Sequence, residues 1–185
     1  MKSLKKLLLL LACSIMLFVS CKKDSKTDPP ASLAIGDTYQ GGIIFSVSGT
    51  APNQHGLIVS PSDLASGATW WNGSNITTNA TSSADGSMNT NDIITAQGNT
   101  GTYAAKICKD YNGGGYLDWY LPAKDQFVTL AQNSSVVGNL STGFYWTSTE
   151  DPWAANTYAY SYSSGSGSMS KLKSVALRVR AIRAF

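Results

Sequence analysis

Two apolar runs open the patterned part of the chain, GGIIFSV at residues 41–47 and HGLIVSP at 55–61. The residues between them, SGTAPNQ, carry Gly, Pro and Asn, so the pair reads as two strands joined by a hairpin loop. The period then changes. In GTYAAKICKDY, Ala104, Ile107, Cys108 and Tyr111 fall at i, i+3, i+4 and i+7, one face of a helix that NGGG at 112–115 ends. LPAKDQFVTLAQN predicts a second helix, with Pro122 in a position its first turn tolerates and Phe127, Leu130 and Ala131 inward. Strands follow in GFYWTST, TYAYSYS and SVALRVRAIRAF. In the last of these Val175, Leu177 and Val179 alternate with Ala176, Arg178 and Arg180, and the register slips near Ile182. Residues 66–100 show little periodicity and read as a long irregular segment, of the kind that is functional or packed by its own side chains. Strands and helices are segregated, so the expected class is α+β: a mainly antiparallel sheet with two helices.

The N-terminus follows a different pattern. Lys2, Lys5 and Lys6 precede a 13-residue apolar run, Leu7 to Val19. A bilayer-spanning helix needs roughly 20 such residues, so the run reads as a secretory signal rather than a span. It ends in Phe18-Val19-Ser20-Cys21, which resembles a bacterial lipobox, although the consensus prefers Leu where Phe18 or Val19 stands. This implies that residues 1–20 are a lipoprotein signal peptide and that Cys21 is acylated. Each buried methylene of such chains contributes about 0.8 kcal/mol, and more than one chain gives a stable anchor. Lys22 to Ala31, KKDSKTDPPA, reads as a polar tether, so that residues 21–32 link the lipid to a single domain at 33–185.

Cysteine and charge narrow the picture. Of Cys13, Cys21 and Cys108, the first leaves with the signal and the second carries lipid. The domain therefore has one thiol and no internal disulfide, although export would permit one. A chain of about 150 residues can be held by its core alone. Cys108 lies on the apolar face of its helix and reads as a small buried hydrophobe. The 14 Lys and Arg fall to eleven without Lys2, Lys5 and Lys6, which balances the 11 Asp and Glu. A neutral exported domain is not a nucleic-acid binder, for which a broad basic face is expected.

Taken together, YQGGIIF, HGLIVSP, NTNDII, YAAKICKDY, GYLDWYLPAKDQF, FYWTSTE and LRVRAIRAF resemble the Lcl C-terminal-domain family, long described as a domain of unknown function. The resemblance covers about residues 36–185. It implies a C-type-lectin-like layout: two helices, a core built around a W-x-S strand, and a last strand that pairs near the first. It also implies an exported protein of the adhesin or lipoprotein kind, since one member is associated with sulfated polysaccharides at the bacterial surface. The chain departs from true C-type lectins in lacking their Glu-Pro-Asn or Gln-Pro-Asp motif and their disulfides.

Candidate chemistry is sparse. Asp85, Ser87, Asn89 and Asn91 alternate in DGSMNTND, giving a weak candidate loop for calcium. The EF-hand pattern fails, because Thr90 and Ala96 stand where a Gly and an acid are needed. The competing reading is an Asx-rich turn. One histidine, His55, and one thiol do not make a zinc site, and no cofactor is expected. No nucleophile motif is present. A glycosidase-like pairing of Glu150 or Asp151 with Asp118 or Asp125 is the remote enzymatic alternative.

Aromatic residues remain. Trp70 and Trp71 are adjacent, so in extended chain they point to opposite faces and one is expected outside. Tyr158, Tyr160 and Tyr162 share a strand face, either covering a core or forming a platform. The expected binding face is the 66–100 segment, with Trp70 or Trp71 as anchor and Asn72, Asn75 and Asn89 as polar contacts. A sulfated polymer would instead use Lys171, Lys173, Arg178, Arg180 and Arg183, with strong salt dependence. The expectation is thus a lipid-anchored lipoprotein of the bacterial cell envelope, in the outer membrane, whose partners are the membrane and a glycan or surface protein. The alternative is a structural envelope lipoprotein without a small ligand.

Overall fold

The computed structural model describes residues 32–185. The segments expected to be a signal peptide and tether, with Cys21, lie outside the described residues except for the tether's last residue. Among those described, no helix is long and apolar enough to cross a membrane.

The class is α+β with two sheets, antiparallel except at one pairing. The first contains β1 (Thr38–Tyr39), β2 (Gly42–Ser48), β3 (His55–Val59) and β9 (Ile182–Ala184), in the order β1-β2-β3-β9. The second contains β4 (Ala65–Ala68), β5 (Tyr145–Glu150), β6 (Tyr158–Ser163), β7 (Gly167–Leu172) and β8 (Leu177–Val179), in the order β4-β8-β5-β6-β7, with β5 and β8 parallel. The helices are α1 (Gly86–Gln97), α2 (Ala104–Asp110), α3 (Lys124–Gln132) and the single turn α4 (Ser134–Val137).

The β2–β3 hairpin is present as its apolar runs require, and strand alternation splits the core in two. Ile44 and Ile58 face one cluster with Trp70, Trp119, Trp146 and Cys108, while their neighbours Phe45 and Val59 face the other with Phe127, Leu130 and Tyr145. Cys108 is fully buried, and burial pushes its thiol well above the ordinary value. Each of the three buried indoles donates to a carbonyl: Trp70 to Thr147 at 2.8 Å, Trp146 to Ala68 at 2.8 Å and Trp119 to Gly113 at 3.0 Å. Buried indole N–H groups require such partners.

The structure corrects the expected layout in three places. Residues 66–100 are not irregular throughout, since β4 and the 12-residue α1 lie within them. The inward face of α1 is largely polar, with Asn89, Thr90 and Gln97 buried beside Ile93, so hydrophobic periodicity cannot show it. The helix is set instead by a cap: the Asp85 carboxylate accepts from the Met88 N–H at 2.9 Å. Strand β7 was also hidden, because GSMSKL at the sheet edge is mostly exposed or half-buried and carries no alternation. Finally, the last apolar segment is two strands. Arg180 and Ala181 carry the chain from β8 in the second sheet to β9 in the first, which accounts for the slip near Ile182. The Val179 carbonyl accepts from Leu64 N–H and the Ala181 carbonyl from Ser60 N–H at this crossing. First and last strands thus share a sheet without being neighbours.

Candidate functional site

The residues expected to form a binding face do not form one surface. Trp70 is fully buried, and Trp71 is half-buried against the same core. Asn72 fastens the end of α1, donating from Nδ2 to the Gln97 carbonyl at 3.1 Å and the Thr100 carbonyl at 3.0 Å. Asn89 is buried, with its amide committed to Ser82 and to the Ser148 hydroxyl. Of the five, Asn72 and Asn75 are exposed, and the Asn72 amide is committed to the end of α1. The two tryptophans fall inside because β4 ends at Ala68 and the chain then bends, so the opposite-faces rule for extended chain does not apply. Of the weak calcium candidates, Asp85 is the helix cap and Asn91 is exposed nearly two turns later, while Asn89 is in the core. Among the described residues no group of three or more His, Cys, Asp or Glu converges as a metal site would need.

The acids are likewise scattered. Glu150 is buried against Lys173, Asp118 pairs with Arg183, Asp125 accepts from the Ser83 hydroxyl, and Asp151 accepts from the Ser170 hydroxyl and Trp153 N–H. Exposed His55 meets only the Ser48 hydroxyl, at 2.9 Å.

The C-terminal cations do not make a polyanion patch, because four of the five are paired with carboxylates of the same chain: buried Glu150, half-buried Asp63 and exposed Asp118. Lys173 and Arg180 are fully buried. The Lys173 ammonium is 2.5 Å from Glu150 Oε1, donates to the carbonyls of Ile76 at 3.0 Å and Ala155 at 2.5 Å, and lies 4.3 Å from the Trp70 ring. Burial pushes its pKa down, opposed by Glu150. Glu150 Oε1 also accepts from Thr78 N–H at 2.8 Å. Arg180 donates to the carbonyls of Ser60 at 2.8 Å and Asn139 at 2.6 Å, and with Arg178 flanks Asp63. Arg183 pairs with Asp118 and Gln40 and lies 3.8 Å over the Tyr116 ring. Lys171 rests over Phe144 at 4.2 Å.

These buried cations shape the two ends of the β5–β6 hairpin. At the Lys173 end, the turn from Asp151 to Thr157 presents Trp153 with 93 % of its surface exposed. The turn is ordered: Asp151 Oδ1 accepts from Trp153 N–H at 2.9 Å, and the Ala154 carbonyl accepts from the N–H groups of Thr157 and Tyr158. Ile76, Leu172 and Val175, all partly exposed, lie on the segments that Lys173 gathers around this turn.

At the opposite end lies a cleft of about 100 Å³, walled by α3 and the residues that precede β5. Phe127, Tyr145 and Tyr162 form its aromatic side, with rings 5.3 Å apart from Phe127 to either tyrosine. Ser134, Ser141 and Ser163 contribute hydroxyls. The Tyr145 hydroxyl accepts from Ser141 N–H at 2.7 Å and donates to Asp63 at 3.0 Å. Burial foremost raises its pKa, so it remains a donor. Of the tyrosine face on β6, Tyr160 lies under the Lys124 ammonium at 5.0 Å and Tyr162 packs on Phe127, so these two cover α3 rather than forming an open platform.

Neither end was anticipated from the sequence. Trp153 carried a usable signal, since a tryptophan in a DPW turn between two strands has no strand register to bury it. The cleft carried none, because its residues come from α3, β5, β6 and the intervening loop. In comparisons with known proteins, no family model matches the chain and no curated protein matches it.

Proposed function

We propose that the protein is a lipid-anchored recognition module of the bacterial cell envelope, of the Lcl C-terminal-domain kind, with a C-type-lectin-like layout. The layout is supported by the first and last strands sharing a sheet and by Trp146-Thr147-Ser148 running through the core. The anchor reading rests on the short apolar run that ends at Cys21.

One observation carries the recognition reading: Trp153 stands almost wholly in water on a turn held by hydrogen bonds. A tryptophan offers roughly 200 Å² for burial, which at about 25 cal/mol per Å² leaves roughly 5 kcal/mol for a partner before ordering costs. The turn is already ordered, so that cost is small. Trp is the residue type most enriched among interface hot spots.

Two experiments test this. Cys21→Ser should release the protein from membranes or leave unprocessed precursor; mature-sized mutant still in the membrane fraction contradicts the anchor. Trp153→Ala should weaken attachment of the displayed protein to envelope polysaccharide or surface-protein targets by about 30-fold, a loss of about 2 kcal/mol, with Tm unchanged. Attachment equal to wild type on every such target would favour the structural envelope role.

A further inference from the structure

We infer that the cleft between α3, the loop at residues 138–144 and the end of β6 holds one uncharged sugar residue. This rests on the reading of the domain as a recognition module, and it names a ligand class and a second site, away from Trp153.

Three features point to that chemistry. The first is the lining. It combines an aromatic side, on which half-buried Tyr162 is the accessible ring backed by the nearly buried Phe127 and Tyr145, with a hydroxyl rim that includes Ser141, Ser163 and Ser164, and it contains no acid, lysine or arginine. Pyranose rings have this same division, apolar C–H faces beside hydroxyls, and aromatic side chains with nearby polar groups match it. The second is charge. The cations beside the wall are engaged: Arg178 donates from Nε to the Thr142 carbonyl at 3.2 Å and pairs with Asp63, Arg180 is buried between Asp63, Ser60 and Asn139, and Lys171 rests over the Phe144 ring at 4.2 Å. A sulfated or carboxylated sugar would meet no cation in the lining itself and would have to draw one from its present partner, and desolvating its charge would oppose binding.

The third is preorganisation. The loop wall is tied at Asn139 by Arg180, at Ser141 by the Tyr145 hydroxyl and at Thr142 by Arg178. Gly138 and Asn139 turn it with successive positive φ of 66° and 54°. Little ordering remains to be done on binding. The volume sets the mode. About 100 Å³ holds roughly three waters, so a pyranose enters edge-on and stays partly exposed. That suits the end of a glycan and gives weak single-site affinity, with Kd on the order of 1 mM.

The test titrates methyl glucoside, methyl galactoside and methyl N-acetylglucosaminide into the purified full chain. Comparison proteins are Ala131→Phe and Ser164→Trp, which fill the mouth from half-buried and exposed positions, and Trp153→Ala. The expected result is millimolar binding of at least one glycoside, weakened tenfold or more by either filling variant and unchanged in Trp153→Ala, with Tm preserved throughout. Filling variants that bind as wild type overturn the proposal, as does loss of glycoside binding in Trp153→Ala alone. If the wild type binds none of the three, the cleft assignment falls. The recognition reading then stands or falls separately, on whether Trp153→Ala reduces envelope attachment.

Discussion

The two ends of the β5–β6 hairpin are built by one device and present opposite shapes. At one end a buried ammonium, Lys173, draws together the carbonyls of Ile76 and Ala155, and the turn there presents Trp153 to solvent. At the other a buried guanidinium, Arg180, draws together Ser60 and Asn139 and helps fix the wall of a concave, uncharged cleft. Each brace leaves one polar atom buried without a hydrogen-bond partner among the described residues, Glu150 Oε2 at one end and Arg180 Nη2 at the other. The comparison teaches that cations clustered in sequence can act singly in space. The cations just past β7 and β8 and within β9 act as ties within the chain rather than as a basic face.

The ends should differ when their braces are cut. The largest effect is expected for Lys173→Met, which strands Glu150 in the core and should cost about 3–5 kcal/mol in chemical denaturation. The double variant Lys173→Met/Glu150→Gln should recover part of that loss, because no unpaired charge is left behind. A double variant no better than the single would mean that packing, not charge, governs this end. Arg180→Met should cost less, about 2 kcal/mol, because Asp63 keeps Arg178 and the Tyr145 hydroxyl and is not fully buried. Equal losses at both ends would erase the distinction.

Cys108→Ala probes the core between the sheets and should cost about 1 kcal/mol through a small cavity, leaving both ends functional. Rapid labelling of the native thiol would contradict its burial. A further effect is alkaline. Burial raises the phenols of Tyr103 and Tyr120 to about 12. Phenols ionise near 10 in the unfolded chain, so the stability they contribute is complete below pH 10 and is lost as pH rises from 10 to 12. A denaturation midpoint constant across that window would oppose the assignment.

How much was legible follows from what each element buries. Strands β2 and β3, helices α2 and α3 and the α+β class were readable, because their apolar residues repeat at the period of the element. Helix α1 was not, because the face it buries is Asn89, Thr90 and Gln97, joined to its surroundings by hydrogen bonds that no hydropathy pattern records. The candidate site was misplaced for a related reason. Trp70, Asn72 and Asn89 look like recognition residues by type, and all three are spent internally; Lys173 and Arg180 look like surface charge and are buried. Sequence gives the residue type, whereas pairing across 97 and 120 positions, as for Lys173 with Ile76 and Arg180 with Ser60, decides its use.

The central claim, that a separate buried cation braces each end, is tested most directly by amide hydrogen exchange on wild type and Lys173→Met. The account predicts core-like protection in the wild type of the N–H groups of Thr78, Thr157 and Tyr158 at one end and Ser141 at the other. In the variant, exchange should rise at the first three and stay unchanged at Ser141. A rise at both ends together, or at neither, would contradict it.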